Sequence, residues 1–215
     1  MKPLYAMMVD ITGRRCLVVG GGSVAERKAA ALLEAGALVK VVSPSATPQI
    51  QKWALLGRVE WKNRPYAPTD GIGCFLVIAA TDDNQTNEAI YRDAKERGQW
   101  INVVDQPELC NFTVPSTVKR GPLQIAISTG GASPSLAKKI RQDLEKSFGE
   151  EYERYLGLLQ EMREKVRAEV KDPRLRYSLM KELVSDEWLI ECRRDPEGVR
   201  GKMLGFIQSH LSVQA

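Results

Sequence analysis

Arg15-Cys16-Leu17-Val18-Val19-Gly20-Gly21-Gly22-Ser23-Val24-Ala25 decides how this chain is read. Arg15–Val19 is a short apolar run that ends on three glycines, the mark of a buried strand entering a turn. Ala29, Ala30, Leu32 and Leu33 then recur at helical spacing until Gly36 stops them. Gly20 to Ala25 spells G-x-G-x-x-A between strand and helix. In that pattern Gly20 permits the tight turn, Gly22 lets the backbone approach a pyrophosphate, and Ala25 lets helix and strand pack closely. The helix N-terminus would offer free N–H groups to the phosphates. The alternative is a plain glycine-rich turn.

The same alternation runs outward. Leu38–Val42 reads as a second strand, Gln49–Leu56 as a short helix and Val59–Trp61 as a third strand. Cys74–Ala79 is a continuous apolar run, as in a central parallel strand covered on both faces. Asn84–Arg97 reads as a helix and Trp100–Val104 as a strand. This order predicts a doubly wound parallel sheet with its ligands at the C-terminal strand edge. Val42 is followed by Ser43-Pro44-Ser45 rather than by the acidic residue that commonly holds a ribose. No arginine stands there for a 2′-phosphate, so the stretch favours NAD over NADP.

Asp105 closes its strand at the ligand edge. A carboxylate there can take a proton while a cofactor takes a hydride. It serves equally well as an Asx-type turn before Gln106-Pro107. Tyr91 and Lys95 mimic a Tyr-x-x-x-Lys dehydrogenase pair, but mid-helix they read as a solvated face.

The character changes after Asn111. Phe112–Val114, Thr117–Lys119 and Leu123–Ile127 are strand-like, with a turn at Arg120-Gly121-Pro122. Ser128-Thr129-Gly130-Gly131-Ala132-Ser133-Pro134 follows, with Ser133 as cap and Pro134 opening a helix to about Ser147. Helices are expected over 151–171, 173–184 and 196–211, the last started by Asp195-Pro196. Lys119, Arg120, Lys138 and Arg141 surround the Ser128–Gly130 turn in sequence. They suggest an anion site, or a capped helix with a solvated basic face.

The chain has 215 residues, 43% hydrophobic, with 31 basic and 27 acidic side chains. The +4 balance does not call for nucleic acid but allows an anionic small molecule. No apolar run approaches the roughly 20 residues of a membrane span, and Asp10 interrupts the start before a signal region forms. Four dispersed cysteines form no CxxC pair, Cys16 and Cys74 read as buried thiols, and a reducing cytoplasm is expected. The one histidine, His210, leaves no His-based metal site or Ser-His-Asp triad to propose.

Cys16–Lys28 resembles the opening of the precorrin-2 dehydrogenase family, which includes the N-terminal module of siroheme synthase. Ala79-Ala80-Thr81-Asp82-Asp83 is similar to its second block, and Asn102–Asp105 with Phe112 and Pro115-Ser116 to its third. Ser128–Pro134 is similar to its fourth. The resemblance implies a Rossmann-like parallel sheet (1–112), a small α+β dimerisation segment (113–148) and a helical domain (149–215). It implies NAD-dependent oxidation of precorrin-2, a tetrapyrrole with eight carboxylates, to sirohydrochlorin in a cytoplasmic homodimer. Asp105 falls on the family's catalytic aspartate. Gly20, Gly22, Ser23, Val24, Ser43, Pro44, Ser45 and Thr81 are expected at the cofactor. Ser128, Thr129, Gly130, Lys119, Arg120, Lys138 and Arg141 are expected at the substrate. Thr129 matches a position often occupied by serine and phosphorylated in one branch. Some members also insert Fe²⁺ or Co²⁺. The chain stops after the helical region, so no methyltransferase module is expected. A regulatory NAD-sensing module that does not need Asp105, or an inactive scaffold, are the readings from other classes.

Overall fold

The computed structural model describes residues 3–212. They divide into two compact units, with the division between Val114 and Pro115. Residues 1–2 and 213–215, the ends of the expected first and last domains, lie outside the described residues.

In the first unit β1 (Arg15–Val19) leads to α1 (Ser23–Glu34), β2 (Leu38–Val42), α2 (Pro48–Leu55) and β3 (Val59–Lys62). Then come β4 (Leu76–Ala79), α3 (Asn84–Glu96) and β5 (Trp100–Val103). The strands form one parallel sheet in the order β3-β2-β1-β4-β5. The order reverses between β1 and β4, which opens a crevice at the C-terminal strand edge.

Period-two alternation explains why both faces are buried. Cys16 and Val18 face the core that also holds Ala25, Ala29 and Leu32 of α1 and Ile50 and Trp53 of α2. Leu17 and Val19 face the opposite core, with Ile90 and Ala94 of α3. Ala25 and Ala29 are fully buried, small enough for α1 to lie close on the sheet. Each large aliphatic side chain buried here contributes about 1.5–3 kcal/mol.

Two strand readings are corrected. β4 starts at Leu76 rather than Cys74, because the Cys74 N–H still closes a turn onto the Gly71 carbonyl. Phe112–Val114 is not a strand. Beside β5, the Asn111 side chain substitutes for a ladder, accepting from Ile101 N–H and donating to the Gln99 carbonyl.

In the second unit β6 (Ser116–Arg120) and β7 (Leu123–Ile127) form an antiparallel hairpin. Gly121 turns it at φ +55° with Pro122 next, the pattern of a II′ turn. The helices α4 (Pro134–Ser147), α5 (Glu151–Glu169), α6 (Pro173–Glu182), α7 (Asp186–Arg194) and α8 (Val199–Ser212) follow. Tyr155, Leu158, Met162 and Val166 of α5 bury against Leu179, Cys192, Met203 and Ile207. The sequence reading lacked α7. It also started the last helix at Pro196, whereas Asp195 ends α7 and its carboxylate accepts from Gly198 N–H, delaying α8 to Val199. Among the described residues no helix is long and apolar enough to cross a membrane.

Candidate functional site

The parallel register sets the site. Val19 pairs with Val42 and Ala79, Val42 with Lys62, and Ala79 with Val103. Five strands therefore end level. The loops beginning at Gly20, Ser43, Asn63, Ala80 and Val104 leave the sheet along one edge.

A cleft of about 790 Å³ lies there, within the range of small-molecule sites. Gly20, Gly22, Ser23, Val24, Ser43, Pro44, Ser45 and Thr81, all the expected cofactor residues, line it. Backbone contacts shape it. Gly20 adopts φ +122° and lies against the Ala80 carbonyl. Gly21 admits the β2 loop: a Cβ there would stand 1.8 Å from the Ser45 carbonyl oxygen. The Thr47 N–H donates to the Gly21 carbonyl, and the Thr47 hydroxyl then caps α2. A Cβ on Gly22 would meet nothing.

The α1 N-terminus opens on Gly22 with no side-chain cap. Thr47, Asp83 and Ser133, by contrast, cap α2, α3 and α4 through their side chains. An uncapped helix end at a glycine with open space is a fitting place for a pyrophosphate.

Sequence reasoning passed over several residues here. Gly21 is the glycine that docks the β2 loop; its signal was a third glycine in a motif that requires two. Asn87 is buried, accepts from the Thr81 hydroxyl at 2.8 Å and donates to the Thr81 carbonyl at 3.0 Å. It fixes the Thr81 loop. Tyr66 lines the cleft and donates to the Asp93 carboxylate at 2.8 Å; burial, reinforced by that carboxylate, pushes its phenol well above its ordinary pKa. Asp82 and Asp83 also line the cleft, while none of the described lining residues is Lys or Arg.

Asp105 stands two residues beyond the end of β5 on the same edge, exposed, outside the lining of this cleft. It adopts φ +62°, the single positive φ of a non-glycine residue among those described. Backbone held in that region is stored strain, a pointer to function. Lys28 of α1 lies within electrostatic reach. Burial lowers its pKa, helped by Arg27, while Cys110 and Asp105 act the other way.

The expected substrate residues lie in the second unit and do not form a single group. Around Ser128–Gly130 the Thr129 hydroxyl donates to the Ser133 carbonyl at 3.0 Å and accepts its N–H at 3.2 Å. The Ser128 hydroxyl accepts from Gly130 N–H. Arg120 and Arg141 meet elsewhere, at Glu145. Arg141 pairs with its carboxylate, while Arg120 donates to its carbonyl and pairs with Glu150. Lys138 lies exposed on α4, and Lys119 on β6 next to Arg120. Tyr91 and Lys95 form a cation–π contact on α3, away from the cleft. Among the described residues no group of three or more His, Cys, Asp or Glu is placed to hold a metal ion.

Residues 7–116 match the family described as NAD(P)-binding. Residues 120–147 match the sirohaem biosynthesis protein central family. A siroheme synthase of Nitrosococcus oceani is 45% identical over 148 residues, 69% of this chain and 32% of that protein. One of Thioalkalivibrio sulfidiphilus is 40% identical over 180 residues, 84% of this chain and 37% of that protein. The chain thus spans about a third of the length of these curated relatives. A solved structure of SirC, a precorrin-2 dehydrogenase, superposes with a TM-score of 0.82 at 29% identity, covering 96% of this chain and all of that one. With just over half its length matched from the apolar start through the glycine loop to Ser116, the chain belongs to the NAD(P)-binding family.

Proposed function

We propose that the chain is an NAD-dependent dehydrogenase that oxidises precorrin-2 to sirohydrochlorin. The observation that carries this reading is the shared strand edge. It sets the uncapped α1 N-terminus and the strained, exposed Asp105 on the same end of one sheet. The similarity to siroheme synthases and to SirC supports the choice of substrate.

NAD⁺ supplies the hydride acceptor when bound. Gly22, Ser23 and Val24 would hold the pyrophosphate through backbone N–H groups, while Gly20, whose N–H donates to the Val42 carbonyl, would shape the turn beneath it. Ser43, Pro44, Ser45 and Thr81 would border the remainder of the dinucleotide. With Asp82 and Asp83 on the wall and no lining cation, a 2′-phosphate is disfavoured by charge. Asp105 takes the proton that leaves the substrate with the hydride. Ser128, Thr129 and Gly130, with Lys119 and Lys138, are the candidates for the substrate carboxylates. Arg120 and Arg141 join them by exchanging Glu145 and Glu150 for substrate. We assign residues 113–148 as a dimerisation segment between an NAD-binding region (1–112) and a helical domain (149–215) of a cytoplasmic homodimer.

The test is anaerobic. Purified chain, enzymatically made precorrin-2 and NAD⁺ are followed by absorbance, with and without Fe²⁺. Sirohydrochlorin forming only with NAD⁺ supports the reading. Iron insertion faster than without protein adds a chelatase step. NAD⁺ binding without turnover overturns the reading in favour of a sensor.

A further inference from the structure

We propose that the Cys110 thiol is a positioning residue for Asp105. The inference rests on the dehydrogenase reading and deepens it. Asp105 occupies the left-handed region, where an aspartate is tolerated but not preferred. Something must hold the turn that carries it. The backbone supplies two bonds, from Val104 N–H to the Ala79 carbonyl at 2.9 Å and from Gln106 N–H to the Val103 carbonyl at 3.3 Å.

The Cys110 sulfur supplies the rest. It accepts from Val103 N–H at 3.2 Å and lies 3.3 Å from both the Val103 and the Gln106 carbonyl oxygens. These residues flank Asp105 on its two sides. A thiol has one hydrogen, shared between the two carbonyls, and its lone pairs face the N–H. The Asn102 amide reaches the same sulfur at 3.6 Å while donating to the Phe112 carbonyl at 3.1 Å. Asn102 therefore links the strand, the thiol and the returning chain. Asn111, next to Cys110, is bound to β5 through backbone and side chain, so the pin is itself anchored. A half-buried cysteine facing two carbonyls and an N–H across a strained turn is placed to hold the backbone that carries Asp105.

The experiment compares wild type, Cys110→Ser, Cys110→Ala, Asp105→Asn and the Cys110→Ala/Asp105→Asn double variant. Steady-state kinetics give kcat and KM. Amide hydrogen exchange over residues 103–106 needs no substrate. Cys110→Ala is expected to lower kcat about tenfold or more, as misplacement of a catalytic group does, with KM for NAD⁺ unchanged. Cys110→Ser, which keeps a donor and acceptor, recovers most of that loss. In the Asp105→Asn background Cys110→Ala costs nothing further, since it acts through Asp105. Exchange at Val103 and Gln106 speeds up in Cys110→Ala. Multiplicative losses, or exchange unchanged from wild type, overturn the proposal. If wild type itself does not turn over, the dehydrogenase reading fails. Exchange then decides on its own whether Cys110 holds the turn. If Cys110→Ala does not fold, Cys110→Ser alone carries the comparison: exchange and kcat close to wild type are expected, and a loss equal to that of Asp105→Asn overturns it.

Discussion

Gly20 and Ala80 meet backbone to backbone: a Cβ on Gly20 would stand 2.1 Å from the Ala80 carbonyl oxygen. The glycine loop and the loop after β4 are thus locked together where the sheet order reverses. Gly20→Ala adds this clash to a φ of +122°. It is expected to cost about 3 kcal/mol in urea unfolding. Gly22→Ala meets no atom, so unfolding is unchanged while NAD⁺ affinity in calorimetric titration drops tenfold or more. Equal stability losses for the two variants would mean that Gly22 is structural and that the phosphates lie elsewhere.

Asp105 separates function from stability. Asp105→Asn, which tolerates the same backbone, is expected to lower kcat by about 10²–10⁴, the usual weight of a general base. NAD⁺ binding should stay the same. Asp105→Gly removes the side chain and the strain together, so thermal unfolding shows equal or up to about 1 kcal/mol greater stability with turnover lost. An active glycine variant would remove Asp105 from the chemistry.

Much of this was legible because the pattern repeats locally. The expected ranges of β1, β2, β7 and α4 match the structure residue for residue. Their apolar alternation, or the Ser133-Pro134 start, is set by neighbours in sequence. The misreadings have long-range or side-chain causes. Asn111 substitutes for a strand through its amide, which no periodicity reveals. Asp195-Pro196 has the composition of a helix start, yet its carboxylate is taken by Gly198 and Lys202. Arg120 and Arg141 are separate in sequence, and only folding brings both to Glu145. The residues that line the cleft were legible as a group, since they adjoin strand ends. The contacts of Asn87 and Cys110 were not, because each bonds to a loop from another element or from several residues away.

Cofactor choice follows from the cleft wall. Asp82 and Asp83 line the cleft, and none of the described lining residues is Lys or Arg. NADP⁺ is expected to bind at least tenfold more weakly than NAD⁺. Asp82→Asn should narrow that gap mainly by improving NADP⁺, as removal of like-charge repulsion does. An unchanged ratio would move the 2′ position away from Asp82.

Asp70 is a buried contributor to acid stability. The bidentate Arg64 hydrogen bond, at 2.8 and 2.7 Å, holds its carboxyl below the ordinary value of 3.8 against the opposing effect of burial. Ala67 N–H assists. A carboxylate lowered in the folded state adds stability that is complete above pH 3.8 and is lost as pH falls through the lower folded value. Asp70→Asn should cost about 2 kcal/mol at pH 7. Its curve and that of wild type should converge below pH 3.8. Parallel curves across that range would contradict this assignment.

The proposed reaction is a coupled removal of hydride and proton by one cofactor and one carboxylate. Its most direct measurement is stoichiometric: NADH formed per sirohydrochlorin formed, under anaerobic conditions, for wild type and for Asp105→Asn. One NADH per product is expected in wild type, and in Asp105→Asn the same ratio at a rate reduced by about 10²–10⁴. Product without matching NADH, or an Asp105→Asn rate equal to wild type, would contradict it.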